Sequence, residues 1–162
     1  MKVRINKSTS IMVMPVLALA LLFVLGVALA AGRDPVTISG EATLGEVPPF
    51  FGEATINIGN DALSGDVTVI PLQPPYEKDG VTHYPEVMHL FNFGDDNTLT
   101  TIGAEFAVPT DENPAVLTLH GNMDITDGTG VFKDASGELR VNGQMDFSIG
   151  QVTFESKGTI SR

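Results

Sequence analysis

The chain contains no cysteine and no tryptophan, and only two tyrosines among its 162 residues. Without cysteine there are no disulfides, no thiolate nucleophile, no zinc–thiolate site and no iron–sulfur cluster. Positive charge is also scarce. Three of the nine cations, Lys2, Arg4 and Lys7, lie in the first ten residues. The remaining six face all twenty acidic residues, so the chain beyond residue 30 carries a net charge of −14. Nucleic-acid binding needs clustered Lys and Arg to neutralise phosphates, and anionic membrane surfaces need the same. Both partners are therefore excluded for this part of the chain. No uncharged run long enough to cross a bilayer occurs after residue 31. No Gly-x-Ser-x-Gly elbow, no phosphate loop and, past the leader, no Asn-x-Ser/Thr sequon occurs.

The first 30 residues read as a leader. Met1–Ser10 carries only positive charge, and Ile11–Ala31 runs uncharged as IMVMPVLALALLFVLGVALAA. Ala28-Leu29-Ala30 presents small residues of the kind a signal peptidase reads, so cleavage is expected after Ala30. The alternative is an uncleaved anchor, since a span needs roughly 20 apolar residues. The only expected membrane contact is then through residues 11–31. Either way, residues 31–162 are expected on the outer side, secreted or extracytoplasmic. They form a single domain large enough to bury a core without covalent staples.

That domain reads as β-structure. Val, Ile and Thr supply 33 of its 132 residues, a quarter, and β-branched side chains favour strands. No window carries a helical apolar stripe, whereas alternation broken every 8–12 residues by Gly, Pro, Asn or Asp recurs. Eight strands are expected: Val36–Glu46, Phe51–Ile58, Gly65–Leu72, Val81–Phe93, Thr98–Val108, Ala115–Ile125, Glu138–Phe147 and Gln151–Ser161. Gln73–Gly80 reads as a Pro-rich loop, and Pro85 marks a bulge or an edge. In the last three strands one face is apolar: Leu117, Leu119, Met123 and Ile125; Leu139, Val141, Met145 and Phe147; Val152, Phe154 and Ile160. Sheets with one wet and one buried side can close on themselves and so remove their edges. The expected fold is a single all-β antiparallel barrel of about eight strands with an apolar interior, preceded by an N-terminal signal helix. A barrel of that size is filled by side chains or holds one small ligand.

The stretch Ile125–Leu139 (ITDGTGVFKDASGEL) is distinctive. Gly128 and Gly130 permit backbone angles that other residues avoid, Phe132 and Ala135 can pack inward, and Gly137 releases the chain into the next strand. The stretch resembles the ITGGTGRFAGASG-type signature of bacterial exported proteins with an allene oxide cyclase/dirigent-like, calycin-like β-barrel. Phe91–Thr101 resembles the hairpin that precedes that signature, and Gln151–Ser161 its final strand. The resemblance covers roughly residues 91–161. Residues 51–59 match weakly, with Thr55-Ile56-Asn57-Ile58-Gly59 where relatives often show THLG. It implies a barrel whose relatives include cofactor-free cyclases, proteins that orient radicals, and many members of unknown activity. Relatives are often oligomeric, so a homo-oligomer is one expectation. No catalytic motif carries over, and fold does not transmit function.

The most chemically suggestive segment is His83-Tyr84-Pro85-Glu86-Val87-Met88-His89. On a regular strand His83 and His89 share a side with Val87, Phe91 and Phe93, so two imidazoles beside phenylalanines would bind a ligand or move a proton. Six residues of strand would hold them about 20 Å apart, so no shared metal is expected, and no cofactor. Glu105 lies opposite Ile102, Ala104, Phe106 and Val108, which predicts solvent; with that face reversed it becomes a buried acid of raised pKa. The same applies to Glu41 and Glu53. His120 is expected at the surface. Asp95-Asp96-Asn97 and Asp124/Asp127 offer oxygen ligands suited to calcium but lack EF-hand spacing and read as turn formers. His83, His89, Phe91, Phe93 and Glu105 are the candidate ligand-binding residues. The expected function is binding of a small apolar ligand, or a structural role. A cofactor-free isomerase or cyclase and an extracellular interaction protein are the alternatives.

Overall fold

The computed structural model describes residues 32–162; the expected signal peptide with its helix, and the alternative anchor, lie outside the described residues. Nine strands form in chain order: β1 (Asp34–Thr43), β2 (Phe50–Ile58), β3 (Asp61–Pro71), β4 (Tyr76–Lys78), β5 (Val81–Asn92), β6 (Thr98–Pro109), β7 (Val116–Gly128), β8 (Ser136–Asp146) and β9 (Gln151–Ser161). All pairings are antiparallel. Each barrel strand pairs with its neighbours in sequence, β1 pairs with β9 along its whole length, and β3 closes onto β5. The result is an eight-stranded up-and-down barrel with β4 as one extra strand.

The expected loop Gln73–Gly80 thus contains a strand. The reason lies in β5, which outruns β3: Pro71 is the last β3 residue and pairs with Val87. Backbone groups of Val81–His83 would be left unpaired, and Tyr76–Lys78 turns back to satisfy them. The side chains reinforce this pairing, with Tyr76 stacked on His83 at 5.0 Å. β1 ends at Thr43 rather than Glu46, β3 begins four residues early after the Gly59–Asn60 turn, and β7 runs on to Gly128.

Alternation in β7–β9 falls as expected. Leu117, Leu119, Met123 and Ile125, then Leu139, Val141 and Met145, then Val152, Phe154 and Ile160 are all buried. Phe147 departs from this pattern: β8 ends at Asp146 and the ring stands 54% exposed in the following turn. Two glycines make room for large inward side chains. A Cβ on Gly40 would lie 2.7 Å from the Phe154 ring, and one on Gly121 would lie 2.7 Å from Cγ of Glu105.

The Ile125–Leu139 stretch closes one end of the barrel. A 3-10 turn at Gly130–Phe132 inserts Phe132, fully buried, against Phe93 at 5.6 Å. The turn is fastened to the β5–β6 connection: Asn97 Oδ1 accepts from Val131 N at 2.9 Å, and Thr129 Oγ1 accepts from Thr98 N at 3.1 Å. Gly130 has φ +58°, and a Cβ there would sit 2.2 Å from Asn97 Oδ1, so only glycine fits. Asp95 and Asp96 adopt positive φ, 50° and 61°, as turn formers do. At the opposite end the 44–49, 72–75 and 147–150 segments surround an open mouth.

Candidate functional site

Pro85 decides which residues of β5 enter the lumen. The β5–β6 register slips between Tyr84 and Val87, so Pro85 and Glu86 form a bulge. A one-residue slip reverses the faces of everything beyond it. Val87, His89, Phe91 and Phe93 point inward, as does Tyr84, while His83 is turned outside. The expected sharing of one side by His83 and His89 is therefore corrected. His83 belongs to an exterior row of rings, between Tyr76 and Phe106, with Phe106 in turn 5.3 Å from His120. His120 is half-buried on the outer face, its Nδ1 3.1 Å from Asn142 Oδ1.

Glu105, expected in solvent, is buried instead. Its face on β6 is the inward one, shared with Leu99, Thr101 and Ala107, all nearly inaccessible. Ile102, Ala104, Phe106 and Val108 face outward. Glu105 is 6% exposed, opposite Tyr84 on β5 and Gly121 on β7. Gly121 leaves the space that its side chain occupies. Glu41 and Glu53, by contrast, are exposed on the outer face.

His89 and Glu105 meet inside the barrel, with Nε2 3.4 Å from Oε1. That distance is within ion-pair range, yet Glu105 Oε1 accepts no hydrogen bond from the protein. Burial controls both groups. It raises the Glu105 carboxyl to about 7 and lowers the His89 imidazole to about 4. Between those values Glu105 carries its proton and His89 carries none, so the pair is uncharged. This is the state expected when two charges would be costly to desolvate without further partners. Tyr84 is also raised, first by burial and then by the Glu105 and Glu77 carboxylates. Thr101, cross-strand from His89, holds a second buried oxygen without a partner.

The walls around this pair are apolar. Ala42, Leu119, Met145, Val152 and Phe154, with Glu105 and His89, enclose a narrow pocket of about 30 Å³, room for one or two water-sized groups. Phe91 and Phe93 do not line it; they form the packed floor beneath, with Phe91 edge-on to His89 at 6.0 Å and stacked on Phe93. The pocket shares Leu44, Phe50, Pro71, Tyr84 and Met145 with a groove of about 740 Å³ at the barrel mouth, so one opens onto the other. Among the described residues no three His, Asp or Glu side chains converge to hold a metal ion.

Of the five residues singled out in the sequence, the structure brings His89 and Glu105 together, sets Phe91 and Phe93 below them, and places His83 outside. Tyr84 and Thr101 were missed. The one signal for Tyr84 was Pro85 itself, because a bulge there reverses the face of the residue before it. No protein-family model, curated protein or solved structure matches this chain.

Proposed function

We propose that this barrel binds a small, mostly apolar molecule through its open mouth, with the Glu105–His89 pair at the inner end of the site. The observation that carries this reading is a buried carboxyl oxygen without a partner at the bottom of an apolar pocket that opens outward. An unsatisfied buried acceptor costs about 1–3 kcal/mol, a cost that a purely structural lumen would avoid with an apolar side chain. The pattern of residues 1–30 supports export, with residues 31–162 as the working domain. The Ile125–Leu139 connection supports kinship with the allene oxide cyclase/dirigent-like barrels.

The test is saturable binding of the uncharged fluorophore N-phenyl-1-naphthylamine. The reading expects one site per chain and a marked weakening in Met145→Trp, which fills the junction of the inner pocket and the mouth groove, with the circular dichroism spectrum unchanged. Absence of saturation in the parent protein refutes the reading, as does full binding by the filled variant.

A cofactor-free isomerase is a second reading, favoured by one observation. A carboxyl that titrates near 7, beside a neutral imidazole, is suited to move a proton at neutral pH. Incubation with a β,γ-unsaturated ketone in deuterated water tests it. Deuterium uptake by the ketone that is abolished in Glu105→Gln supports proton transfer, and uptake equal in both proteins removes this reading.

A further inference from the structure

We infer that the ligand is an uncharged amphiphile that enters head first, with one hydroxyl or carbonyl oxygen against Glu105 and His89 and its hydrocarbon body in the mouth groove. This rests on the binding reading above and specifies the chemistry of the molecule bound.

The shape of the site sets the orientation. The inner pocket of about 30 Å³ admits only a small group, whereas the mouth groove of about 740 Å³ holds a chain. The groove is apolar where the chain would lie, along Leu44, Phe50, Pro71 and Met145, and Leu72 and Phe147 extend that surface outward from its rim. A head-out arrangement would bury a methyl end against the unpartnered oxygen of Glu105 and leave it unsatisfied.

The polar groups set the head chemistry. A protonated carboxyl donates one hydrogen bond, and a neutral imidazole offers one donor and one acceptor nitrogen. A hydroxyl both donates and accepts and so satisfies two such partners; a carbonyl accepts from the carboxyl. No Lys or Arg lines the pocket or the groove, so a carboxylate or phosphate head would be buried beside an acid with no cation to offset it. A primary ammonium would have to leave water among apolar walls beside a carboxyl that burial holds in its uncharged form, and so would lose hydration with no ready counter-charge.

The experiment displaces N-phenyl-1-naphthylamine from the intact protein at pH 6 with 1-octanol, octane, octanoate and octylamine. Octanol is expected to displace the probe about ten-fold more tightly than octane, the effect of one good buried hydrogen bond, and more tightly than either charged analogue. In Glu105→Leu the octanol preference over octane is expected to shrink, since His89 alone remains to meet the head, while Glu105→Gln, which keeps a donor, retains it. Octanoate or octylamine matching octanol overturns the inference, as does octane matching octanol in the parent. Either result leaves the binding reading intact. Failure of the probe itself to saturate overturns both. If Glu105→Leu does not fold, His89→Phe supplies the same comparison: a reduced octanol preference supports the inference and an unchanged one overturns it.

Discussion

Replacing one member of the Glu105–His89 pair should expose a pH dependence that the other hides. Glu105 is raised from 4.5 to about 7, so folding takes up a proton between those values. Its contribution to stability is fully present below pH 4.5 and is lost as pH rises through about 7. His89 is lowered from 6.5 to about 4, so its contribution is present above pH 6.5 and is lost as pH falls through about 4. At about 1.4 kcal/mol for each pH unit, each group is worth on the order of 3 kcal/mol, with opposite slopes. Between pH 4.5 and 6.5 the two nearly cancel in the parent protein. Burial is the cause of each displacement, so removing one group leaves the other in place.

Glu105→Gln should therefore gain stability relative to the parent as pH rises from 4.5 to about 7, and His89→Phe should lose it as pH rises from about 4 to 6.5. Urea unfolding at intervals across these ranges reads the effect. With a slope of roughly 2 kcal/mol/M, each variant's midpoint should move by roughly 1.5 M relative to the parent. The reasoning is refuted if both variants are less stable than the parent by a constant amount between pH 5 and 7. That pattern marks an ion pair, in which each charge holds the other.

Other outcomes follow from single contacts. Thr101→Val removes a buried hydroxyl without a partner while keeping the shape, and should raise stability by about 1 kcal/mol in thermal unfolding. Phe132→Ala opens the closed end beside Phe93 and should cost roughly 3–5 kcal/mol by urea titration. Gly121→Ala forces a methyl against Glu105 and the Ala104 carbonyl and should cost roughly 1–3 kcal/mol, part of it recovered in the double variant with Glu105→Ala. Glu53 sits between Glu41 and Asp66 across three outer strands, so Glu53→Gln should raise the melting temperature by roughly 1–2 °C at low salt, an effect absent in 1 M NaCl.

The barrel was legible where one face of a strand is plainly greasier than the other. Leu117, Leu119, Met123 and Ile125 leave no doubt about which side of β7 is buried, and β9 is equally clear. β6 is not. Ile102, Phe106 and Val108 on one side compete with Leu99 and Ala107 on the other, and period-two reasoning prefers the wrong set. What settles the matter is register: β6 lies between β5 and β7, whose inward residues fix the inward side of β6. Register between distant segments is a tertiary property that a single strand's pattern does not contain. Pro85 was recognised as a place for a bulge, yet the consequence for His83 and Tyr84 depends on how many residues the bulge absorbs. The short β4 was hidden among prolines because its role, pairing with the overhang of β5, arises only once β3 has ended.

The protonation state of Glu105 is the point on which the site, its pH behaviour and its ligand chemistry all turn. Nuclear magnetic resonance of the protein labelled at glutamate Cδ, with Glu105→Gln used to assign the signal, follows that carboxyl through a pH titration. The account predicts a midpoint of about 7, with the carboxyl protonated at pH 5.5. A midpoint at or below the ordinary 4.5 would contradict it.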